Sequence, residues 1–345
     1  MAEVKVGIIN VTGYIGMEIA RLVHLHPRVR LASVTGRSAA GKEIGEVSPH
    51  LADIGLSIKP ELDRVDLAFV ALPHGESAAA VVALLERGIK VVDVGADFRL
   101  KDAEEYKRWY KVDAAAEYLE EAVYGLTELN RERIAAARLV ANPGCYPTGA
   151  ILALAPAVSE SLIEPDIIVD SKSGVSGAGR TLNLTTHYAE INENAAAYAV
   201  DGHRHLPEIV QELQGLAPGP ALSVTFLPHL VPMTRGILTS CYAMLAGGKA
   251  AEGEKGREQV LKLYRDFYQG EAFVRVVAVP PQTKQTWGSN LCLIYPTVDL
   301  RTGRLMVISC LDNLVKGGAG QAVQNMNLML GFPEETGLEG LAVYP

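Results

Sequence analysis

The sequence predicts an α/β protein in two parts: a doubly wound parallel sheet covered by helices, then an α+β domain whose sheet is largely antiparallel. Three observations carry this reading. The chain has 345 residues, 48% hydrophobic and 21% charged, which is enough for two domains with a substantial core. Its first 145 residues alternate short apolar runs with helix-like stretches, and beyond about residue 165 longer strand patterns take over.

The first half runs in order through "KVGIIN", the helix-like "IGMEIARLVHLH", "VRLASVTG", "VDLAFVAL", the helix-like "ESAAAVVALLERG", "IKVVDVGA" and "RLVAN". Fully apolar strands of this length, spaced by amphipathic segments, belong to a parallel sheet buried on both faces. The second half holds "DIIVDSKSG", "SVTFLPHLV" and "GILTSCYAMLA", then the hairpin "LCLIYPTVDLRTGRLMVISC" turning at Thr302-Gly303. "GGAGQAVQNMNLMLG" returns to a helix, with Gly331 and Pro333 as stop signals. There is no internal repeat and no low-complexity tract.

Composition excludes several functions. A formal net charge of -8 argues against a nucleic-acid binder, because duplex affinity rests on Lys and Arg neutralising phosphates. No apolar stretch approaches the roughly 20 residues of a membrane span, and the opening residues enter a strand pattern directly, so a cytoplasmic protein with no membrane partner is expected. Cys145, Cys241, Cys292 and Cys310 show no CxxC pairing, which points to reduced thiols and to no metal.

In "VGIINVTGYIGMEIARLV" a strand passes through a turn with Gly13 and Gly16 into a helix. Small residues there let the backbone approach a pyrophosphate, whose charge the free N–H groups of the helix start can bind. Asn10 stands where a further glycine is usual, and Asn tolerates a left-handed backbone. The next strand ends without an acidic residue and is followed by Arg37 and Ser38, which suit a 2′-phosphate, so NADP is favoured over NAD. A purely structural strand-helix turn is the alternative.

"ANPGCYPTG" places Cys145 between a strand and a helix, in an irregular, exposed turn made by the flanking Pro and Gly, with Pro147 as an early helical residue. A thiol at a helix start feels the positive end of the dipole, which favours the thiolate, and the same N–H groups can hold an oxyanion. The other three cysteines lie in strand-like runs and read as packing residues. "GHRHLPEIVQEL" offers His203 and His205, with Arg204 between them and Glu208 one turn on, in a helix beginning at Pro207. Histidine titrates near neutrality and suits proton transfer. A solvated helix cap, or a metal site of His203, His205 and His229, are the alternatives.

At these residues the chain resembles the N-acetyl-gamma-glutamyl-phosphate reductases of arginine biosynthesis, relatives of aspartate-semialdehyde dehydrogenase. The likeness runs through "TGYIG", "VTGRS", "ALPHG", "DFRL", "YGLTELNR", "NPGCYPT", "SGVSGAGR", "HRHLPEI" and "DNLVKGGAGQAVQNMNLM". It implies a Rossmann-like NADP-binding domain from residues 1–145 and 314–345, a catalytic and dimerisation α+β domain from 146–313, and a homo-oligomer, dimer or tetramer. Asn10, and Gly36 where serine is common before the arginine, depart from the family pattern. A paralogous family acting on protein-carried 2-aminoadipate phosphate in lysine biosynthesis shares "GHRH" and "DNLVKG", but "NPGCYPT" favours the arginine enzyme.

The resemblance implies that Cys145 carries the acyl group of N-acetyl-glutamyl 5-phosphate as a thioester, that His205 or His203 is the acid/base, and that NADP(H) is the hydride carrier. Cofactor contacts would come from Thr12, Gly13, Tyr14, Ile15, Gly16, Arg37, Ser38, Pro73, His74, Ser176, Gly177 and Asn313. The small-molecule substrate, with its phosphate and carboxylate, would meet Arg99, Asn142, Ser173, Arg180, Arg204, Glu208 and Arg235, since guanidinium matches both anions, with a surface role as the alternative for each arginine. Two rival functions stand beside this one. Aspartate-semialdehyde dehydrogenase uses the same thioester chemistry on a shorter acid. A non-catalytic nucleotide sensor would need neither Cys145 nor the histidine pair.

Overall fold

A computed structural model describes residues 3–216, 219–249 and 253–345. The chain up to Gly144, together with Gly318–Gly340, makes one compact unit; Cys145–Gly317 with Leu341–Pro345 makes a second.

The first unit is built on strands β1 (Val4–Ile9), β2 (Val29–Thr35), β3 (Ile58–Lys59), β4 (Leu67–Val70), β5 (Lys90–Asp93), β6 (Val123–Tyr124) and β7 (Leu139–Ala141). They pair in the order β3-β2-β1-β4-β5-β7-β6, every pairing parallel. Such strands are buried on both faces, which is why β4 reads as an unbroken apolar run, Leu67, Ala68, Phe69 and Val70, all without solvent exposure. The strand order reverses between β1 and β4, and ligands of open parallel sheets bind beyond the carboxyl ends at such a reversal. The loops leaving β1 and β4 meet there: the Asn10 amide donates to the Ala71 carbonyl at 2.8 Å.

The Gly320–Met329 helix belongs to this unit, preceded by a π-helical turn over Val315–Ala319. It is buried on nearly all sides although it carries Gln321, Gln324, Asn325 and Asn327. Burial of amides requires partners. Gln321 Nε2 donates to the Gly125 carbonyl and Thr127 Oγ1, and Asn325 Nδ2 to the Gly125 carbonyl and Asn142 Oδ1. Gly125 allows that approach, because a Cβ there would stand 2.4 Å from Asn325 Nδ2.

The second unit holds β8 (Ile163–Ser173), β9 (Ala196–Ala197), β10 (Ser223–Leu230), β11 (Ile237–Leu245), β12 (Val274–Val276), β13 (Cys292–Asp299) and β14 (Arg304–Leu311). Their order is β12-β13-β14-β11-β8-β10-β9; β12-β13 and β8-β10 are parallel and the other pairings antiparallel. The β13-β14 hairpin pairs Asp299 with Arg304 across a turn containing Thr302 and Gly303. Cys241, Cys292 and Cys310 are buried in these strands, and burial pushes the Cys310 thiol up to about 12.

The Cys145–Ser159 helix packs on this sheet, Ser309 donating its hydroxyl to the Gly149 carbonyl at 2.9 Å. Pro156 lies inside the helix and has no N–H for the carbonyl one turn earlier. Two phenols from the Gly253–Phe267 helix and its end fill the gap: Tyr268 donates to the Leu152 carbonyl and Tyr264 to the Ala153 carbonyl at 2.8 Å. The long apolar helix that carries Cys145 is thus held along its length by side chains distant in sequence.

Candidate active site

In the first unit the glycine turn takes a shape that only particular residues permit. Asn10 has φ 69°, in the left-handed region, so the side chain that replaces the usual glycine adopts the conformation a glycine would supply. Its Oδ1 accepts from Thr12 Oγ1 at 3.2 Å. A Cβ on Gly16 would stand 2.3 Å from the Asn10 carbonyl oxygen and 2.8 Å from Val11 Cα, both backbone atoms with no freedom to yield. The Tyr14–His24 helix then starts with Gly13 at its N-cap, no side-chain cap and no acidic residue in its first turn. This helix start is therefore shaped for an anion's approach, and Thr12, Gly13, Tyr14, Ile15 and Gly16 lie around it.

Gly36, the other departure from the family pattern, has a structural cause, because a Cβ there would meet Thr12 Cγ2 at 2.9 Å. Arg37 and Ser38 follow it and are exposed; Arg37 Nη1 pairs with Glu76 Oε2 at 2.6 Å. Pro73 and His74 are exposed on the loop after β4, with the His74 ring 5.4 Å from that of Tyr110. These groups suit a dinucleotide: a glycine turn for the pyrophosphate and a guanidinium for a 2′-phosphate.

Arg99 and Asn142 lie deeper in the same unit. Arg99 is buried, Nε donating to the Asn142 carbonyl at 2.8 Å and Nη2 to the Val94 carbonyl at 3.0 Å. Asn142 is fully buried, donates to the Gly318 carbonyl and accepts from Asn325. Both therefore have a framework role visible in their bonds.

In the second unit Cys145 is the first residue of its helix and half-buried, not the exposed turn residue expected from the sequence. Pro147 is the third residue of the helix, where a missing N–H costs nothing. Cys145 stands at the end of the helix where negative charge is favoured. Gly317 lies against it: a Cβ there would stand 2.9 Å from Cys145 Cβ, so the second glycine-rich segment of the sequence is required to be bare at this point.

Tyr146 organises what surrounds the cysteine. Its ring meets His203 at 5.7 Å, His205 at 5.9 Å and Phe226 at 5.4 Å between centroids, and the two imidazoles are 4.7 Å apart. Tyr198 donates to Tyr146 Oη at 3.1 Å, and Tyr146 Oη to the His229 carbonyl at 3.5 Å. Burial above all pushes both phenols up, Tyr198 to about 12 and Tyr146 further, so both remain donors at neutral pH. Neither tyrosine was singled out from the sequence. Tyr146 was visible beside the cysteine, but Tyr198 reaches it only by tertiary contact.

The two histidines are not equivalent. The helix begins at Leu206, one residue before the expected Pro207, and runs to Gln214 with His205 at its N-cap, and the His205 N–H donates to His203 Nδ1 at 3.1 Å. Burial first, and the Arg204 charge second, hold His203 down to about 4. His203 is therefore neutral at physiological pH, with its proton on Nε2 because Nδ1 accepts. Glu208 is buried on the first turn of that helix, and Arg204 is exposed before it.

A third cluster joins residues far apart in sequence. Asn313 donates to Ser176 Oγ at 2.9 Å and accepts from the Gly236 N–H at 2.7 Å, and a Cβ on Gly177 would stand 3.4 Å from Ser173 Oγ. Ser173 is buried and donates to the Gly174 carbonyl. Arg235, next to Gly236, has Nη1 3.5 Å from Asp312 Oδ2, while Arg180 is exposed beyond the loop. Asp312 is fully buried and accepts the N–H groups of Gly288 and Leu314. It went unnoticed in the sequence because its partners come from three separate segments.

His229 does not join the other histidines through its imidazole; its Nδ1 lies 3.2 Å from Asp170 Oδ1, and Lys172 occupies the other oxygen. Among the described residues no group of three or more His, Cys, Asp or Glu is placed to hold a metal.

A parallel-sheet unit with a dinucleotide turn and a second unit with a helix-start cysteine and a histidine pair are the two parts that define a semialdehyde-dehydrogenase class of protein. The family described as semialdehyde dehydrogenase, NAD binding domain, matches residues 5–137, and the semialdehyde dehydrogenase dimerisation domain matches residues 145–313. The chain is 55% identical to the N-acetyl-gamma-glutamyl-phosphate reductase of Dehalococcoides mccartyi (strain CBDB1), covering 100% of both chains. It is 51% identical to that of Pelotomaculum thermopropionicum, covering 99% of each. The chain belongs to the N-acetyl-gamma-glutamyl-phosphate reductase family. Among solved structures, aspartate semialdehyde dehydrogenase II of Vibrio cholerae shares the fold with a TM-score of 0.69 at 19% identity, over 96% of this chain and 99% of that one. The Candida albicans aspartate semialdehyde dehydrogenase, solved with NADP, gives 0.70 at 14%, over 95% and 99%.

Proposed function

We propose that the protein reduces N-acetyl-L-glutamyl 5-phosphate to N-acetyl-L-glutamate 5-semialdehyde with NADPH, releasing phosphate, the arginine-biosynthesis step for which its family is named. The observation that carries this reading is the position of Cys145: first residue of a helix, beside a tyrosine whose ring packs on two histidines. The first unit, up to Gly144 with Gly318–Gly340, is read as the cofactor domain, and the second as the catalytic and dimerisation domain; Cys145, residues 314–317 and residues 341–345 thus fall outside the cofactor domain of 1–145 and 314–345 expected from the sequence.

In the proposed mechanism the Cys145 thiolate attacks the acyl carbon, the carbon–oxygen bond to phosphate breaks, and phosphate leaves with the electron pair. The thioester that remains splits one hard displacement into two easier steps. NADPH, when bound, supplies the hydride that reduces the thioester carbon. Backbone N–H groups at the start of the Cys145–Ser159 helix are suited to the negative oxygen that develops, a contribution of roughly 3 to 4 kcal/mol per donor in comparable sites. The oxygen takes a proton as the thiohemiacetal forms and gives it back to the same acid/base as the carbon–sulfur bond breaks, so that the C=O of the aldehyde re-forms and Cys145 returns to a thiolate.

His205 is assigned the proton transfer. The assignment is supported by His203, which is held at about 4 and has its Nδ1 already accepting from the backbone. His203 then serves to orient the turn that carries His205. Arg204, Arg180 and Arg235 supply candidate cations for the phosphate and carboxylate, with Ser173 and Glu208 beside them. Thr12 to Gly16, Arg37, Ser38, Pro73 and His74 are assigned to the cofactor, together with Ser176, Gly177 and Asn313. Arg37 sets the preference for NADPH over NADH.

A homo-oligomer, dimer or tetramer, is part of the same reading. It is supported by the matched dimerisation domain and by the second sheet, whose face away from the Cys145 helix carries Ile168, Leu238, Tyr242, Met244, Met306 and Ile308 at least partly exposed. Reduced, buried Cys241, Cys292 and Cys310 accord with a cytoplasmic enzyme.

The test is the reverse reaction: NADPH formation from N-acetylglutamate semialdehyde, NADP and phosphate, beside aspartate semialdehyde. Phosphate-dependent turnover selective for the acetylated substrate is expected. Turnover with aspartate semialdehyde alone would transfer the activity to the sister enzyme, and silence with both would sink the proposal.

A further inference from the structure

We infer that Asp97 is the positioning residue of the loop Pro73–Glu76, holding both its backbone and the His74 ring in the arrangement that NADPH needs. The inference rests on the reading above that this loop faces the cofactor. Asp97 sits in "ADFRL", two residues before Arg99, and is 1% exposed.

The loop leads from β4 into the helix Ser77–Glu86, whose first N–H groups lack partners within the helix. The residue at the N-cap, Glu76, makes no cap with its side chain, and the Ser77 hydroxyl is turned to Asp93 Oδ2 at 3.2 Å. Asp97 does the capping from another segment. Its Oδ2 accepts the N–H groups of Ser77 and Ala78, each at 3.0 Å, and its Oδ1 accepts the Gly75 N–H at 2.7 Å. Gly75 has φ 78°, so the loop takes a conformation that needs both glycine and an external acceptor to persist.

A second route reaches the same loop through side chains. Tyr106 donates to Asp97 Oδ1 at 2.7 Å. Its ring stacks on Tyr110 at 4.7 Å and 17°, and Tyr110 lies 5.4 Å from His74. One carboxylate therefore determines where the His74 backbone runs and what its ring rests on. Glu76, the partner of Arg37, rides on the same loop.

The arrangement also distinguishes two helix starts at the strand-order reversal. The Ser77–Glu86 helix has its positive end occupied by the protein's own carboxylate, whereas the Tyr14–His24 helix has no acidic residue in its first turn. The pyrophosphate is left one place to bind, and the other helix start serves to hold a loop.

The test compares wild type with Asp97→Asn, which keeps size but replaces one acceptor oxygen by a donor. NADPH affinity is read by nucleotide fluorescence, amide exchange is read at Gly75, Ser77 and Ala78 without cofactor, and steady-state kinetics are measured. Loss of charge-assisted bonds to the loop should raise the NADPH Kd and KM by about tenfold or more. Exchange at the three amides should accelerate, with kcat at saturating NADPH and KM for the acyl substrate within about threefold of wild type. Tyr106→Phe, which leaves the backbone acceptors in place, should raise the NADPH Kd by a smaller factor, and it decides the matter if Asp97→Asn does not fold. An unchanged NADPH Kd in the folded variant, or a fall in kcat with NADPH KM unmoved, overturns the inference while leaving the proposed activity standing. A wild-type protein that binds no NADPH overturns both.

Discussion

Protonation of His203 should control how stability changes with pH, and the effect should be hidden until that residue is replaced. The folded protein holds His203 at about 4, against 6.5 for an ordinary histidine. Between those values the unfolded chain binds a proton that the folded protein refuses, so stability present above pH 6.5 is lost as pH falls through that window. At 1.36 kcal/mol per unit the full loss is about 3 kcal/mol, of which about 2 kcal/mol falls between pH 7.5 and pH 5. Asp93 acts in the opposite sense. Burial first, and the Asp97 charge second, push it up to about 7 from an ordinary 3.8. The folded protein therefore keeps a proton that the unfolded chain has released, and stability falls as pH rises from about 4 to 7. The two slopes offset each other in the wild type. His203→Gln removes one of them. Urea unfolding followed by circular dichroism at pH 5 and 7.5 should show the wild type gaining about 2 kcal/mol relative to the variant at the higher pH. Equal differences at the two pH values, or a His203 ring proton that titrates near 6.5 by NMR, would refute the reasoning and reopen His203 as the acid/base.

Replacing Cys145 with Ser should reduce turnover by about a thousandfold or more while NADPH binding by fluorescence stays at the wild-type value; appreciable activity would exclude the thioester. Arg37→Ala should weaken NADPH by about tenfold or more and NADH by less than about threefold, since the exposed pair with Glu76 is worth little by itself. Gly16→Ala forces a Cβ to within 2.3 Å of the Asn10 carbonyl, so the turn must open. A loss of about 1 to 3 kcal/mol in stability and a sharp rise in NADPH KM are expected, and unchanged binding would show that the turn does not hold the cofactor. Tyr268→Phe leaves the Leu152 carbonyl beside Pro156 without its phenol donor and should cost about 1 to 3 kcal/mol, with kcat preserved; no change in thermal unfolding would mean that another donor replaces it.

Much of the candidate site was legible because the chemistry proposed for it is local. Cys145 between Pro143-Gly144 and Pro147, the turn from Asn10 to Gly16, and the spacing of His203 and His205 each follow from neighbours in the chain, where backbone preference and helix capping act over a few residues. The two sheet types were likewise readable, since a run such as Leu67–Val70 can only be buried on both faces. Residues whose importance lies in their partners were not readable. Asp97, Asp312, Tyr198 and Gly317 each meet groups distant in sequence, up to 172 positions away for Gly317 and Cys145, and nothing beside them in the chain announces it. The direction of each histidine was also out of reach, because the neutrality of His203 comes from burial and from the neighbouring guanidinium, quantities that exist only once the chain has folded. Sequence by itself determined the elements, their order and the residue types of the candidate site. Only the tertiary structure decided which buried polar groups hold the loops and which histidine keeps its proton, because desolvation and hydrogen-bond partners across the fold set those outcomes.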